Sequence, residues 1–450
     1  MSTHPTSVIE QRGTAAHLDS DPLSPVDAAW FRMETGGNRA DIVAVMILDG
    51  QLDDESLRAT IEARLLPHRR FRRRVVETPH GILPPRWQDE APFSLDAHIS
   101  RHRLASPAGD DELLSLVEEL VNRPMDFGIA PWRLGIIDGY SGGSVLVAQI
   151  HHCMGDGFAL IDLLVSLTDG APGEPVARTS TAVPADAPER SSLSEALAGA
   201  RRLGSGVEAL GHLLLLPFDP VTRLRGVLSG ERKLAWSKGV PLSRVKALAS
   251  ARGATLNDVL LAALAGALRR YLQHHGDLTP GVRAIVPVNL RPPGEPIDEE
   301  RGNWFGLVFV DLPIDLDGMD ARVRAIKRGM DRIKASEEPV VSLAVLNTLG
   351  RSPAVVEHIA NELFARKSSI VVSNVPGPRK PVSLAGRRIR DIVFWVPHPS
   401  GLACGASILS YAGSVRVGIR SDRAVLPDPE LIARAFDEEL LAWTSSGDPR

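Results

Sequence analysis

The stretch of sequence that decides the fold lies between residues 144 and 157 and reads SVLVAQIHHCMGDG. Its first seven residues are almost entirely apolar, which is typical of a strand buried on both faces. A polar loop with two histidines follows at once, and the apolar run Ala159–Leu167 predicts a helix after it. The segment therefore predicts a loop that holds reactive side chains at the end of a rigid strand.

The side chains of this loop suit proton transfer. Imidazole has an ordinary pKa of about 6.5, so His151 and His152 are candidate bases. The two glycines allow a tight turn around Asp156, which is available to orient a histidine or to anchor the loop through an arginine. Zinc binding by the histidines, nucleophilic attack by Cys153 and a purely structural role are the alternatives. The sequence holds no HExxH pattern and no GxSxG elbow, which disfavours zinc chemistry and serine hydrolysis.

The composition is that of a folded, water-soluble protein. Of the 450 residues 44% are apolar and 24% charged, and 51 Lys and Arg against 55 Asp and Glu leave a net charge of −4. This balance excludes a globally basic nucleic-acid binder. Two cysteines are too few for a disulfide framework, and no apolar run reaches the roughly 20 residues of a membrane span. The first twenty residues show no apolar signal-peptide core, so we expect a cytoplasmic protein.

Strand and helix patterns alternate along both halves of the chain, which predicts two α/β domains. The residues between them are rich in Pro, Ala, Ser and Thr and have no apolar period, as expected of a linker. We therefore expect a flexible N-terminus over residues 1–21, an N-terminal domain over 22–168, a linker over 169–192 and a C-terminal domain over 193–450.

Individual elements follow from capping signals and apolar periodicity. Ser24 followed by Pro25 predicts the start of a helix. The segment Leu256–Leu272, capped by Thr255, is apolar around most of its circumference and predicts a helix in the protein interior. Strands are predicted at 42–48, 144–150, 284–288, 307–312, 369–373 and 415–419, and further helices at 54–66, 111–121, 242–251, 321–333 and 430–443.

The HHxxxDG pattern of residues 151–157 resembles the signature of acyl-CoA-dependent acyltransferases and peptide-synthetase condensation domains. Other motifs, in the same order along the chain, are similar to those of the bacterial wax ester synthase/diacylglycerol acyltransferase family, and the resemblance spans residues 22–443. These motifs are PLSPVD at 22–27, ATLNDV at 254–259, VPVNLR at 286–291, GNWFG at 302–306 and SNVPGP at 373–378.

The resemblance implies an α/β (α+β) fold of two chloramphenicol-acetyltransferase-like domains with a substrate tunnel at their interface. It implies transfer of a fatty acyl group from acyl-CoA, the co-substrate, to a long-chain alcohol or a diacylglycerol, without a bound cofactor, a metal or a covalent acyl-enzyme. His152 would take the hydroxyl proton of the acceptor, and His151 would support the loop or face the substrate. Asp156 would be structural, with an arginine such as Arg291 as its partner, and Gly157 would shape the turn.

Other motif residues are candidates for binding substrate or shaping the site. Asn257 suits either an oxyanion donor or a first-turn helix residue. Asp258 is favoured as a helix-start residue, because the helix dipole attracts negative charge there. Asn374 precedes a turn sequence and suits a substrate contact or a structural bend. Pro131 and Trp132 belong to a region that resembles the family's PLDxxxPLW segment.

The chain departs from the family pattern near that segment. Ala130 stands directly before Pro131, and Arg133 occupies a position where an acidic residue is usual. Asp41 and Ile42 replace the family's Met-His pair. We expect these changes to lie around the substrate channel and to affect substrate preference more than chemistry.

Two surface segments are candidates for contact with CoA or lipid. The basic run at 69–74, RRFRRR, suits CoA phosphates or anionic head groups, and its alternative is a solvated strand edge or helix end. The apolar stretch 207–218 suits peripheral binding to a membrane or lipid droplet, or packing between the domains. Alternative functions are condensation with carrier-protein-bound acyl donors and non-catalytic lipid binding. The sequence leaves the oligomeric state open.

Overall fold

The structure is a computed structural model. Asp156, Gly157 and Arg291 lie outside the residues that it describes, as do most of the predicted helix at 159–167 and most of the predicted linker. The described residues are 20–35, 37–78, 81–155, 166–169, 208, 210–277, 279–290, 302–398 and 401–445.

Sixteen strands and nine α-helices are assigned bounds within these ranges. The strands are β1 Ser20–Pro22, β2 Asp41–Leu48, β3 Arg73–Val76, β4 Arg86–Asp89, β5 Ile99–Arg103, β6 Trp132–Tyr140, β7 Gly143–His151, β8 Arg232–Trp236, β9 Val240–Pro241, β10 Val282–Asn289, β11 Phe305–Leu312, β12 Ile370–Pro376, β13 Ser383–Leu384, β14 Arg387–Trp395, β15 Cys404–Tyr411 and β16 Ser414–Asp422. The helices are α1 Pro25–Arg32, α2 Asp54–Arg64, α3 Asp110–Asn122, α4 Leu242–Ala251, α5 Leu256–His274, α6 Met319–Lys334, α7 Glu338–Leu349, α8 Ala354–Ala365 and α9 Pro429–Ser445.

Two large mixed sheets form the framework. The first has the strand order β13-β14-β2-β7-β6-β5, and the second has the order β11-β10-β12-β15-β16-β8, with β9 beside β16. A small sheet, β1-β4-β3, lies apart from them. The sequence-predicted strands, and the predicted helices that fall on described residues, are confirmed with ends that differ by a few residues. Strands β2, β7, β10, β11, β12 and β16 are the six that the sequence predicted, and the other ten strands and helices α7 and α8 are additional to the sequence prediction.

The first sheet is built from both halves of the chain. Strand β14 of the C-terminal half runs antiparallel to β2 of the N-terminal half, with Ile392 opposite Met46 and Trp395 opposite Val43. The boundary predicted near residue 169 therefore divides the chain but does not divide this sheet.

Strands β2 and β7 are buried along their whole lengths because both faces of the first sheet are covered. On one face, Val43 and Val45 pack with residues of α3, including Val117. On the other face, Ala44 and Met46 belong to the main apolar core. This two-sided cover explains why both strands read as continuous apolar runs rather than as alternating patterns.

Helix α5 passes through the core of the second half, as its all-round apolar character predicted. It starts at a capping box in which the Thr255 hydroxyl accepts from the Asp258 amide and the Asp258 carboxylate accepts from the Thr255 amide. Its buried residues share one core cluster with those of α6 and α9. The first turn of α5 thereby presents Asn257 at the N-terminal end of a rigid, buried helix.

Candidate active site

The two histidines lie where strand β7 ends. His151 is the last residue of β7, and His152 starts a 3₁₀ turn that runs to Met154. The His151 amide donates to the Pro131 carbonyl over 3.0 Å, and the His152 amide donates to the Ala40 carbonyl over 2.8 Å. Backbone hydrogen bonds to two neighbouring segments therefore position both side chains.

Stacking on an indole orients the His152 ring. Its centroid lies 3.8 Å from that of the Trp30 ring, and the two planes are inclined by only 12°. The Phe305 ring lies 5.9 Å from the imidazole. His152 is 6% exposed. Trp30 is carried by α1, whose first turn Ser24 caps by accepting from the Asp27 amide, as the sequence predicted.

His151 is fully buried, and both of its ring nitrogens face protein groups. Nδ1 accepts from the Cys153 amide over 3.2 Å, and Nε2 lies 3.5 Å from a carboxylate oxygen of Glu34. A base for a substrate hydroxyl needs an accessible nitrogen, and His151 is fully buried, so this geometry favours a supporting role for His151.

A buried ion pair lies behind the histidine loop. Asp27, which has no exposed surface, places Oδ2 3.0 Å from Nη2 of Arg70. Arg70 also donates to the Met154 carbonyl over 3.1 Å. The Asn303 side chain donates to Asp27 over 2.6 Å and to the His152 carbonyl over 2.8 Å. Carbonyl groups of the loop are thus attached to a charged pair that is shielded from water.

A glycine makes this attachment possible. Gly302 has φ +67°, a left-handed conformation that favours glycine, and a Cβ built at this position would lie 2.2 Å from Asp27. The GNWFG and PLSPVD motifs therefore meet directly behind the histidine motif. Three segments that are far apart in sequence form one structural unit around His152.

Arg70, from the basic run at 69–74, holds this unit together. Arg70 and Arg73 are buried, and Arg73 pairs with Asp21 and Asp89. The prediction that this run offers its charges to CoA phosphates or lipid head groups is wrong for these two arginines. Arg70 pairs with the buried Asp27, and Arg73 pairs with Asp21 and Asp89, whose side chains are exposed.

Cys153 is fully buried beside the histidines. Its backbone amide is bonded to His151, as described above, so the residue forms part of the loop support. The nucleophilic alternative has no support in this geometry, because a nucleophile must be able to reach its substrate.

Two predicted site residues from distant motifs meet in the second half of the chain. The Asn374 side-chain amide donates to Oδ1 of Asn257 over 3.0 Å, linking β12 to the first turn of α5. Both side chains are partly buried. Asp258 is committed to the cap of α5, which confirms the helix-start interpretation.

Pro131 and Trp132 have separate roles. The Pro131 carbonyl holds the His151 amide, while the Trp132 indole is buried, stacks on His98 with ring centroids 4.2 Å apart, and donates to the Phe71 carbonyl over 2.9 Å. Trp132 therefore shapes the core beneath the sheet.

Asp41, which the sequence predicted around the substrate channel, has a structural role, and its effect on substrate preference stays a prediction. Asp41 is buried at the start of β2 and accepts from Arg232 over 2.8 Å and from Gln149. Burial raises the pKa of an acid, but here Arg232 and Arg420 outweigh it and hold the pKa of Asp41 well below its usual range. Arg133 likewise donates to the Gln149 side chain. The Asp41–Arg232 pair thus joins β2 of the first large sheet to β8 of the second, whereas the Arg133 hydrogen bond stays within the first sheet.

An apolar cavity lies beside the His152–Trp30 stack. Residues of α1, α7, α8 and of strands β10 and β11 line it, so both halves of the chain contribute. The lining residues are Trp30, Met33, Leu213, Ile285, Leu307, Phe309, Ser342, Val345, Leu346, Leu349, Asn361, Phe364 and Ala365.

Within the described ranges, no group of three or more His, Cys, Asp or Glu side chains is arranged to hold a metal ion. Over the same part of the chain, no helix has the length and apolar character needed to span a bilayer.

Sequence reasoning missed Trp30, Glu34 and Asn303 as site residues. Trp30 and Asn303 lie in or next to motifs that the sequence singled out, so motif proximity was the available signal. Nothing local marks Glu34, which reaches His151 only through the fold.

Solved structures share this architecture. The wax ester synthase/diacylglycerol acyltransferase of Marinobacter aquaeolei VT8 superposes with a TM-score of 0.69 at 22% identity and covers 94% of this chain and 99% of that one. The starter condensation domain of rhizomide synthetase, solved with C8-CoA and Leu-SNAC, gives a TM-score of 0.60 at 12% identity and covers 94% of each chain. Two joined α/β halves, with the histidine loop at the end of β7, give this chain the chloramphenicol-acetyltransferase-like fold of these condensation-domain structures.

The sequence comparisons narrow this class. Residues 23–260 match the wax ester synthase/diacylglycerol acyltransferase catalytic domain, and residues 301–442 match the C-terminal domain of the same family. A probable diacylglycerol O-acyltransferase of Mycobacterium tuberculosis is 28% identical over an alignment of 442 positions. The alignment covers 93% of this chain and 94% of that protein. The chain belongs to the wax ester synthase/diacylglycerol acyltransferase family, and it is an acyl-CoA-dependent acyltransferase.

Proposed function

We propose that this acyltransferase moves a fatty acyl group from acyl-CoA to the hydroxyl of a long-chain alcohol or a diacylglycerol, with His152 as the general base. The observation that carries the proposal is the position of His152 at the end of β7, with its ring stacked on Trp30 at the apolar cavity. Diacylglycerol is in the names of the Mycobacterium and Marinobacter relatives, and wax ester, which is the ester of a long-chain alcohol, is in the name of the Marinobacter relative.

The reaction needs one base and no covalent enzyme intermediate. His152 takes the proton of the acceptor hydroxyl while the oxygen attacks the thioester carbonyl. The tetrahedral intermediate then expels the CoA thiolate, which recovers the proton from the imidazolium, so ester and free CoA leave and His152 is neutral again. A positioned base contributes about 10²–10⁴-fold to such a step.

Further residues have proposed roles around this base. Asn257 is the candidate donor to the thioester oxyanion, because its Oδ1 accepts from Asn374 and its own amide protons remain for another acceptor. Asp156, Gly157 and an arginine such as Arg291 are proposed to hold the far side of the histidine loop. An Asp156→Asn variant tests the second proposal, and loss of turnover with retained folding is the expected result.

Acceptors of this kind dissolve in membranes and lipid droplets. We therefore propose that the enzyme works in the cytoplasm at the surface of a lipid phase. The apolar lining of the cavity supports this, since Ile285, Leu307 and Phe309 offer a hydrocarbon chain a dry environment.

Thiol release with palmitoyl-CoA tests the function. Purified protein is given hexadecanol or dioleoylglycerol separately, with products resolved, and His152→Ala is compared with His102→Ala, whose side chain lies on the edge strand β5. We expect acceptor-dependent thiol release in the wild type and in His102→Ala, and its collapse in His152→Ala.

Turnover of neither acceptor, with turnover of an acyl group supplied on a carrier protein, would assign the chain to condensation chemistry instead. Equal rates in the two histidine variants would remove His152 as the base.

A further inference from the structure

Helix α8 presents an apolar face to the outside of the protein. Val355, Val356, Ile359 and Leu363 are all exposed, from 44% for Leu363 to 71% for Val355. At 100° per residue these four side chains lie within an arc of about 100° on one side of the helix. A surface helix of a soluble protein normally turns its polar side outward, so this arrangement is inverted.

The segment of residues 82–83 extends this face at the N-terminal end of α8. Ile82 and Leu83 are exposed apolar residues. Arg32 ties them to the start of the helix, because it donates to the Leu83 carbonyl over 2.6 Å and to the Ser352 carbonyl over 3.0 Å. The Arg32 guanidinium therefore holds both segments at one place on the surface.

At the C-terminal end of α8 the apolar segment 210–218 joins the same face. Lys367, two residues after the helix, donates to the Leu213 and Leu214 carbonyls over 2.8 and 2.7 Å. Leu215 is 85% exposed, and Leu214 and Phe218 are exposed as well. We refer to the exposed apolar side chains of α8, of residues 82–83 and of residues 214–218 together as the α8 band. Contiguous apolar surfaces of this kind mark sites of interaction with other molecules or with lipid.

Positive charge flanks the α8 band. Arg351 precedes α8, and Arg366 follows it with its guanidinium 4.6 Å from the centre of the Phe218 ring. Both side chains belong to exposed residues. An apolar face with arginines at its ends matches the interface of an anionic bilayer, where phosphate groups lie just outside the hydrocarbon.

The opposite side of α8 faces the apolar cavity. Asn361, Phe364 and Ala365 line the apolar cavity, and so does Leu213 of the neighbouring segment. The far wall of that cavity includes Trp30, which stacks on His152. Helix α8 therefore lies between the α8 band and the apolar cavity that Trp30 also lines.

We infer that the α8 band binds the surface of an anionic phospholipid membrane, with α8 lying in the interfacial plane, and that lipid acceptors enter the cavity past this helix. The entry route rests on the proposed function, whereas membrane binding by the α8 band does not. Apolar side chains inserted at the interface supply the affinity, and Arg351 and Arg366 add attraction to phosphate.

Flotation with vesicles tests the membrane surface without any turnover. The full-length protein is mixed with vesicles of phosphatidylcholine, with or without phosphatidylglycerol. A Val355→Glu/Ile359→Glu variant is compared with Leu441→Glu, which changes a partly exposed leucine on α9. We expect the double variant to lose at least about tenfold in vesicle partitioning, since burying a single such side chain is worth that factor, and Leu441→Glu to bind like the wild type.

A fluorescence measurement guards against a folding defect in the charged variant. The two natural cysteines are buried, so a polarity-sensitive dye on Ile359→Cys or Leu441→Cys reports one site only. We expect vesicles to shift the emission of the dye at position 359 to the blue and to leave the dye at position 441 unchanged.

Equal vesicle binding by the wild type and the charged double variant, or no blue shift at position 359, would overturn the inference. The inference would also be overturned if the wild type is a dimer in the absence of vesicles and the double variant is a monomer. The α8 band would then bind a second copy of the chain. Esterification of a water-soluble short alcohol separates the two proposals, because it needs His152 but not the membrane. If that activity is absent while vesicle binding holds, the proposed function fails alone.

Discussion

The ion pair behind the histidine loop is open to a direct test with Asp27→Asn. The substitution keeps the shape of the side chain and removes its charge. Arg70, whose guanidinium lies 3.0 Å from the Asp27 carboxylate, then loses this buried counter-charge. Asn303 loses a charged acceptor at 2.6 Å, so both groups that hold the carbonyls of the His152 loop are weakened.

The expected cost in stability follows from burial. Removing one partner of a buried ion pair costs about 3–5 kcal/mol, because an uncompensated charge is left inside the protein. The matched control is Asp96→Asn, which breaks a pair with Arg58 at 2.6 Å in which the Asp96 side chain is 78% exposed. Exposed pairs of this kind contribute below about 1 kcal/mol.

Urea unfolding gives the free energy of unfolding of both variants, and thiol release with palmitoyl-CoA gives their turnover. We expect Asp27→Asn to lose several kcal/mol of stability. Below the unfolding transition it should also lose up to about 100-fold in kcat, because a small displacement of a reacting group costs about that factor. If Asp27→Asn is no less stable and no slower than Asp96→Asn, the ion pair does not position the loop and the reasoning fails.

Three further substitutions test other parts of the structure. Burial raises the pKa of Glu357 on α8 from 4.5 to about 7. Its contribution to stability is therefore full below pH 4.5 and falls by up to about 3 kcal/mol as the pH rises through 7. Urea unfolding at several pH values should show this fall in the free energy of unfolding of the wild type and not of Glu357→Gln. The pKa of Asp41 is lowered instead, so its contribution to stability is present above pH 3.8 and is lost as the pH falls. Asp41→Asn should therefore cost about 3–5 kcal/mol of unfolding free energy at pH 7 and reduce the loss of stability in acid. Equal stability of variant and wild type at pH 7 would show that Arg232 has found another partner. In Gly306→Ala the new Cβ would meet the Pro339 carbonyl at 2.1 Å and force α7 away from β11, and an unchanged urea midpoint would contradict the expected loss of about 1–3 kcal/mol.

Local rules predicted the parts of this protein that depend on neighbours in sequence. The cap at Ser24, the cap at Thr255 and the buried strand before His151 each rest on a few consecutive residues, and all three are confirmed. The family motifs also indicated an acyltransferase from the sequence alone. None of these inferences required a long-range contact.

Strand β14 could not be predicted from its local sequence. Its sequence, RRIRDIVFW, mixes charged and apolar residues without a clean period, so its strand character depends on the partner β2, more than 300 residues earlier in the chain. Helix α7 escaped prediction because its valine-rich apolar residues do not mark a single buried face.

The charged residues were the hardest to interpret. Arg70 in a basic run reads as surface, and Asp41 beside a strand reads as a channel residue, yet both are buried in ion pairs with distant partners. Charge compensation depends on three-dimensional distance, which sequence spacing does not encode.

The sequence by itself determined the reactive loop, the helix and strand starts and the enzyme family, because these depend on short-range backbone preferences and on motif identity. Only the tertiary structure decided that Trp30 stacks on His152, that Glu34 engages His151 and that Asp27, Arg70 and Asn303 anchor the loop from behind. Each of these contacts joins segments that meet only when the chain folds, and its strength comes from the low-dielectric interior that folding creates.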